Sequence, residues 1–397
     1  MGEVFHGNFT QQEPLPEAST AAALAVLRHG RLHRYNVAEG EVAETALLEE
    51  EFAALTGAAY CLAVASGGYA LGCALRACGV APGDAVLTNA FTLAPVPGAI
   101  SGVGARPVFV GVTEGLTIDF DDLAAKLGQA RVLLLSHMRG HICDMARLMR
   151  LCDAAGVTVI EDCAHTMGAA WDGMPTGRWG RMGCFSTQTY KHANSGEGGL
   201  LISDDAEAMA RAILLSGSYM MYGRHRAAPP PQAFDALRWE VPNISGRMDN
   251  LRAAILRPQL ADLARQAARW NDRYVVLARG LAQVPGLVVP HRPPQEQFVA
   301  SSFQFLLPDW PSSGVSAVVA GCAARGVELK WFGAAEPVGF TSRYDSWRYA
   351  DCAPMPASDR VLAGLLDMRL PLTFSLDDCA LIARIIRDVV TDVQGRA

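Results

Sequence analysis

From about residue 58 the chain alternates short apolar runs with helix-spaced stretches, and this alternation constrains the fold more than any other feature. Tyr60–Ala65, Ala85–Thr88, Pro107–Val110, Val132–Ser136 and Val157–Glu161 read as buried strands. Between them Ala70–Cys78, Pro95–Val103, Asp121–Leu127 and Met145–Ala155 carry helical spacing with Gly or Pro punctuation. Such repetition predicts an α/β architecture, a largely parallel sheet covered on both faces. Ligands in these sheets gather at the carboxyl ends of the strands, so chemistry is expected just after each run.

Past Ser203 the pattern changes. A proline-rich loop, Ala227–Gln232, reads as an exposed excursion, and one long helix is expected from Asn250 to Ala282. Strand candidates Leu287–Pro290, Phe303–Leu307, Val327–Phe332 and Arg369–Leu372 then alternate with helices, ending in Leu376–Val393. A chain of 397 residues exceeds one small core. The change of pattern places a boundary between a large domain, 1–255, and a smaller one, 256–397.

Composition excludes several classes. Lys and Arg number 34 against 40 Asp and Glu, a net charge of −6 without a basic run, which disfavours nucleic acid and acidic membranes as partners. No apolar stretch is long and clean enough to span a bilayer, and the N-terminus lacks a basic region followed by an apolar run. A soluble cytoplasmic protein is therefore expected. The ten cysteines are scattered without a C-x-x-C pair, so neither a zinc site nor a disulfide framework is expected. His137, His141 and His192 have no carboxylate or cysteine recurring at ligand spacing, and no metal is assigned.

Three segments carry chemistry. Ser66-Gly67-Gly68-Tyr69 follows the first strand and opens a helix, which suits a phosphate cradle; Gly-Gly turns also occur for purely steric reasons. Val159–His165 is an apolar strand ending in Glu161-Asp162. Asp162 there suits a protonated ring nitrogen of a cofactor, or equally an ordinary helix cap. Lys191 lies five residues after Ser186 and just before Gly196-Glu197-Gly198-Gly199, between two strand-like runs. A loop lysine is usually a solvated charge, yet this setting suits a Schiff-base lysine with a phosphate-binding hydroxyl nearby.

Together these segments resemble the DegT/DnrJ/EryC1/StrS family of fold-type-I aminotransferases. The resemblance rests on Ser66-Gly67, Glu161-Asp162-x-Ala164-His165, Phe185-Ser186-x4-Lys191 and Gly196-Glu197-Gly198-Gly199, in that order and spacing. Gly83-Asp84…Thr88…Phe91-Thr92, His137-Met138-Arg139-Gly140-His141 and Arg247-Met248…Ala253-Ala254 agree with it, from about residue 30 to the C-terminus.

The resemblance implies a mixed, mostly parallel seven-stranded sheet, a small C-terminal α/β domain, and a homodimer with shared active sites. It implies pyridoxal 5′-phosphate as cofactor, bound covalently to Lys191, with Asp162 on the pyridine nitrogen and His165 near the phenolic oxygen or ring face. Ser66, Gly67, Gly68, Tyr69 and Ser186 would hold the phosphate, and Asn243 would reach the neighbouring subunit's. Small-molecule substrates are implied, an amino-acid donor and a carbonyl acceptor.

Four departures stand out. Gly67-Gly68 replaces Gly-Thr, leaving Tyr69 or the backbone to supply the missing ligand. Leu93 stands where an aromatic ring usually stacks on the pyridine, with Phe91 as a substitute. Ser245 replaces the usual asparagine, with Asn243 beside it. Arg139 replaces an aromatic residue. Arg139 and Arg369 are candidates for a substrate carboxylate, against the ordinary reading of an intramolecular salt bridge. Elimination, replacement or dehydration on the same scaffold is the alternative chemistry. A non-catalytic cofactor-binding regulator is a further alternative, for which no DNA-binding arm is present.

Overall fold

A computed structural model describes residues 2–395. The apolar runs form a central sheet: β1 (Tyr60–Val64), β2 (Ala85–Asn89), β3 (Arg106–Val110), β4 (Val132–Ser136) and β5 (Thr158–Asp162). Two short strands, β6 (Ala170–Trp171) and β7 (Met174–Pro175), precede β8 (Met182–Ser186) and β9 (Gly199–Ser203). The order is β1-β9-β8-β5-β4-β2-β3. β2, β3, β4, β5 and β8 pair in parallel, and β9 runs antiparallel to both its neighbours. The sheet is therefore mixed and mostly parallel, and its strands are buried along nearly their whole length because helices cover both faces.

The second unit follows β10 (Glu296–Gln297), which pairs with β6. Its sheet joins β11 (Ser302–Leu306), β12 (Lys330–Trp331) and β13 (Leu365–Arg369) in the antiparallel order β11-β13-β12. Helices Leu263–Leu281 and Leu376–Gln394 pack on each other beside it.

Several expectations change. The long helix is two, Asn250–Ala261 and Leu263–Leu281, divided at Asp262. Leu287–Pro290 contributes one bridge, Val288 to Leu306, and Val327–Phe332 forms only a two-residue strand. The strand sought at Arg369–Leu372 lies earlier, ending at Arg369. The proline loop is not a free excursion: Ala227 is buried and its carbonyl accepts the Cys61 N–H of edge strand β1. That contact covers backbone groups an edge strand otherwise leaves open. The N-terminal segment, grouped by the boundary at 255 with the large domain, packs on the C-terminal unit. Phe5 and Phe9 meet Phe374 edge-on, and Phe5 N–H donates to Arg325 O.

Candidate active site

The carboxyl ends of β1, β8, β5, β4 and β2 open onto one cavity of about 500 Å³, floored by the large sheet and roofed by residues of the second unit. Ser66 follows β1 and caps helix Gly67–Ala77, its Oγ accepting the Tyr69 N–H at 3.1 Å. Gly67 and Gly68 line the cavity at the start of that helix. Their N–H groups have no intrahelical acceptor and carry the positive end of the helix dipole. Ser186, at the end of β8, closes the other side; a Cβ on Gly67 would stand 2.8 Å from Ser186 Cβ. The cradle therefore needs glycine at 67 on steric grounds.

Tyr69 does not join it. Its ring packs on Gly246 and its hydroxyl donates to Leu215 O at 3.1 Å, so only backbone N–H groups stand where the missing hydroxyl would be. Asn243 is exposed on a loop outside the cavity lining, accepting the Ser245 N–H.

Asp162 ends β5 with both oxygens held. Oδ1 accepts the Ala164 N–H at 3.1 Å and Oδ2 the Ser136 hydroxyl at 3.0 Å. Burial pushes its carboxyl above the ordinary value of 3.8, against the pull of those bonds and of Lys191. Sequence reasoning missed Ser136 and its own support: Asn89, at the end of β2, pairs with the Ser136 N–H and carbonyl at 2.9 and 2.8 Å. A lone serine closing a strand gives no motif signal.

Lys191 lies in the turn after β8, half-buried overall, with its Nζ 3.1 Å from His165 Nε2. Burial, then the Arg139 charge, and more weakly Arg369, lower its ammonium from 10.5 to about 7, against the pull of Asp162. The same burial, with Lys191 beside it, drives His165 well below 6.5 and keeps it neutral. An amine that is largely neutral at physiological pH is a competent nucleophile and base.

Leu93 lines the cavity where the resemblance expects an aromatic ring. Phe91 does not replace it, being buried edge-on against Phe332 at 5.2 Å, outside the lining. Arg139 and Arg369 both line the cavity. Arg139 forms the expected intramolecular pair, Nη2 to Asp367 Oδ2 at 2.8 Å; Arg369 forms no ion pair among the described residues. Gln12 from the N-terminal segment and Gly339, Phe340 and Ser342 from the segment between β12 and β13 also line the cavity.

His137 does have the company that spacing hid. Its Nε2 is 3.0 Å from Glu161 Oε2, and Cys163 completes a buried group within 4.8 Å. The Glu161 oxygens are already committed to the N–H groups of Gly177, Trp179 and Gly180, so this group locks the β5 turn.

The profile of the DegT/DnrJ/EryC1/StrS aminotransferase family matches residues 17–387. The chain belongs to that family. It is 34% identical over 245 residues to 3-amino-5-hydroxybenzoate synthase of Amycolatopsis mediterranei, 60% of each chain. It is 32% identical over 281 residues to L-glutamine:2-deoxy-scyllo-inosose aminotransferase of Streptomyces lividus, 69% of this chain and 65% of that one. The matched region thus spans less than two thirds of these relatives' length. A crystal structure of 3-amino-5-hydroxybenzoic acid synthase superposes with a TM-score of 0.82 at 26% identity, covering 98% of this chain and 99% of that one.

Proposed function

We propose that this family member is a pyridoxal 5′-phosphate-dependent aminotransferase that carries an amino group from an amino-acid donor to a keto or aldehyde acceptor. The observation that carries the reading is Lys191 Nζ: an enclosed amine lowered to about 7, in contact with neutral His165 and within the field of Asp162, in the cavity that also holds the anion cradle. The residues present fit the cofactor. The cradle at Gly67, Gly68 and Ser186 offers N–H groups and a hydroxyl where a side chain on Gly67 would intrude, which suits a phosphate. Asp162 is buried with a raised pKa and gains a counter-charge from a protonated ring nitrogen. When bound, the cofactor supplies an electron sink that acidifies the C–H next to the substrate amine.

The protein's own groups do the rest. Lys191 Nζ takes the proton from the donor's α-carbon and returns one to the acceptor-derived carbon. His165 at 3.1 Å orients that amine without competing for the proton, because burial keeps the imidazole neutral. Ser136 and the Ala164 N–H fix the Asp162 carboxylate. Leu71, Leu93, Val96, Met138 and Leu370 line the cavity and exclude water from the exchange. The relatives' names point to cyclic keto compounds as the acceptor class. A homodimer belongs to the same reading. Tyr219, Met220, Trp239 and Ile244 expose apolar surface on the segment that also carries Asn243, Trp239 being 79% exposed.

Light scattering of the cofactor-loaded protein should give twice the mass of one chain, and the same sample is mixed with glutamate or glutamine without acceptor. One equivalent of keto acid per site and no ammonia is the expected result. Continuing ammonia release would instead establish elimination or replacement chemistry.

A further inference from the structure

One end of the cavity carries more positive charge than the fold can neutralise. Arg139 follows β4 in a left-handed conformation (φ 54°) and is only 8% exposed. Its Nη2 is 2.8 Å from Asp367 Oδ2, but the two are not aligned as a hydrogen bond, and among the described residues neither Nε nor Nη2 has an acceptor. Buried guanidinium N–H groups without acceptors are costly and point to a missing partner. Arg369, at the end of β13, places its Cζ over the Tyr190 ring, 3.6 Å from the centroid, with the Phe340 centroid at 5.1 Å. Stacking occupies the face of the guanidinium and leaves its N–H edge for an acceptor. Lys330 stands over the same Phe340 ring at 4.8 Å.

Asp367 is the one carboxylate paired with this cluster among the described residues, and its Oδ1 is already taken by Gln304 Nε2 at 2.7 Å. Even with Lys330 neutral, two arginines against one aspartate leave a positive charge uncompensated. The cofactor's phosphate is not the missing anion. The cradle spans β1 and β8, whereas Arg139 follows β4, two strands beyond β8 and four beyond β1. At roughly 5 Å per strand the arginine stands on the far side of Asp162 from the cradle. Arg139, Arg369, Lys191 and His165 line the same cavity, and the Arg139 charge lowers the pKa of both Lys191 and His165, so the two arginines share the space of the reacting amine. A diphosphate held beyond a sugar ring would lie farther from that amine. A carboxylate on the same small skeleton as the reacting carbonyl fits the distance, and the fork of an arginine fits a carboxylate.

We infer that Arg139 and Arg369 form a carboxylate subsite and that the acceptor of the proposed amino transfer is a carboxylic acid. This rests on the aminotransferase reading, and the test separates the two. Benzoate, a planar monocarboxylate, is titrated calorimetrically into protein loaded with pyridoxamine 5′-phosphate, the acceptor-ready form. The same titration is run on protein loaded with pyridoxal 5′-phosphate. Cofactor absorbance on the same samples reports on the aminotransferase reading independently of benzoate.

Benzoate should bind the acceptor-ready form at least about 10-fold more tightly than uncharged benzamide, as expected for a charge-assisted bidentate contact. Arg369→Gln, at a half-buried residue without an ion pair, should lose about that factor while the protein stays folded and cofactor-loaded. Arg139→Lys, which keeps a charge beside Asp367, should weaken benzoate as well. Equal binding of benzoate and benzamide, or unchanged benzoate binding in Arg369→Gln, overturns the subsite. Binding to the pyridoxal form alone assigns the carboxylate to the donor and overturns the acceptor inference. Uridine diphosphate binding that depends on Arg369, with no benzoate binding, replaces the acid with a nucleotide.

Discussion

At the scale of single residues, Lys191 shows how environment shifts an ordinary side chain, its ammonium being lowered to about 7. Its candidacy rested on Ser186, five residues earlier, and on the glycine bend after it; both Lys191 and Ser186 line the cavity, but the lowered pKa was not legible from that spacing. That comes from enclosure beside Arg139, which follows a different strand. The same holds for Asp162: the strand run located it, while Ser136 and Asn89, far off in sequence, hold its oxygen and its support. Tyr69 shows the limit in the other direction, since its side chain turns away from the cradle to Leu215 although its neighbours Gly67 and Gly68 line the cavity.

A lysine lowered in the fold has a definite effect on stability without cofactor. The folded state binds its proton more weakly than the unfolded chain, so Lys191 weakens the fold below about 7, and that penalty fades as pH rises toward the ordinary value of 10.5. Lys191→Met apoprotein should therefore melt higher than the wild type near neutral pH, with the gap closing over that window. A gap independent of pH in thermal melts would place the lysine's ammonium in solvent.

Secondary-structure elements were legible where local pattern and tertiary demand agree. The five runs from Tyr60 to Asp162 are strands within a residue or two of their expected ends, because a strand buried on both faces must be apolar throughout. β13 was misplaced because it carries Asp367 in its interior, paired with Gln304 and Arg139 from other elements. A charged residue interrupts the apolar signal, and only the tertiary partners explain it. The helix from Asn250 was read as continuous, although Pro258 lacks the N–H that would bond back one turn, and the break comes at Asp262.

The link between the β4 and β5 ends holds the Asp162 carboxylate in place, and on the proposed reading it contributes to cofactor binding. Ser136→Ala removes the donor to Asp162 Oδ2 while leaving the backbone pairing with Asn89 intact. The loss of one such bond, about 1 kcal/mol, should weaken cofactor binding roughly five-fold with little change in melting temperature. An unchanged dissociation constant in an absorbance titration would show that Asp162 needs no such support.

At the scale of the whole molecule, the site exists because two units meet. Lys191, Asp162 and the cradle come from the large sheet, whereas Arg369, Leu370 and Phe340 come from the second unit, and Gln12 arrives from the N-terminal segment. The change of pattern after Ser203 led to the expectation of a second domain from residue 256, and the later part of the chain carries a sheet of its own, β11-β13-β12. That the first residues strap onto the far unit was not legible, because Phe5 and Phe9 find Phe374 across nearly the full chain. No described helix is long and apolar enough to cross a membrane.

Whether this cavity holds pyridoxal 5′-phosphate on Lys191 is decided by borohydride reduction of the cofactor-loaded protein followed by peptide mass analysis. One phosphopyridoxyl group per chain is expected, on Lys191, and none in a folded Lys191→Ala variant. A label on another lysine, or none on folded wild-type protein, would contradict that expectation.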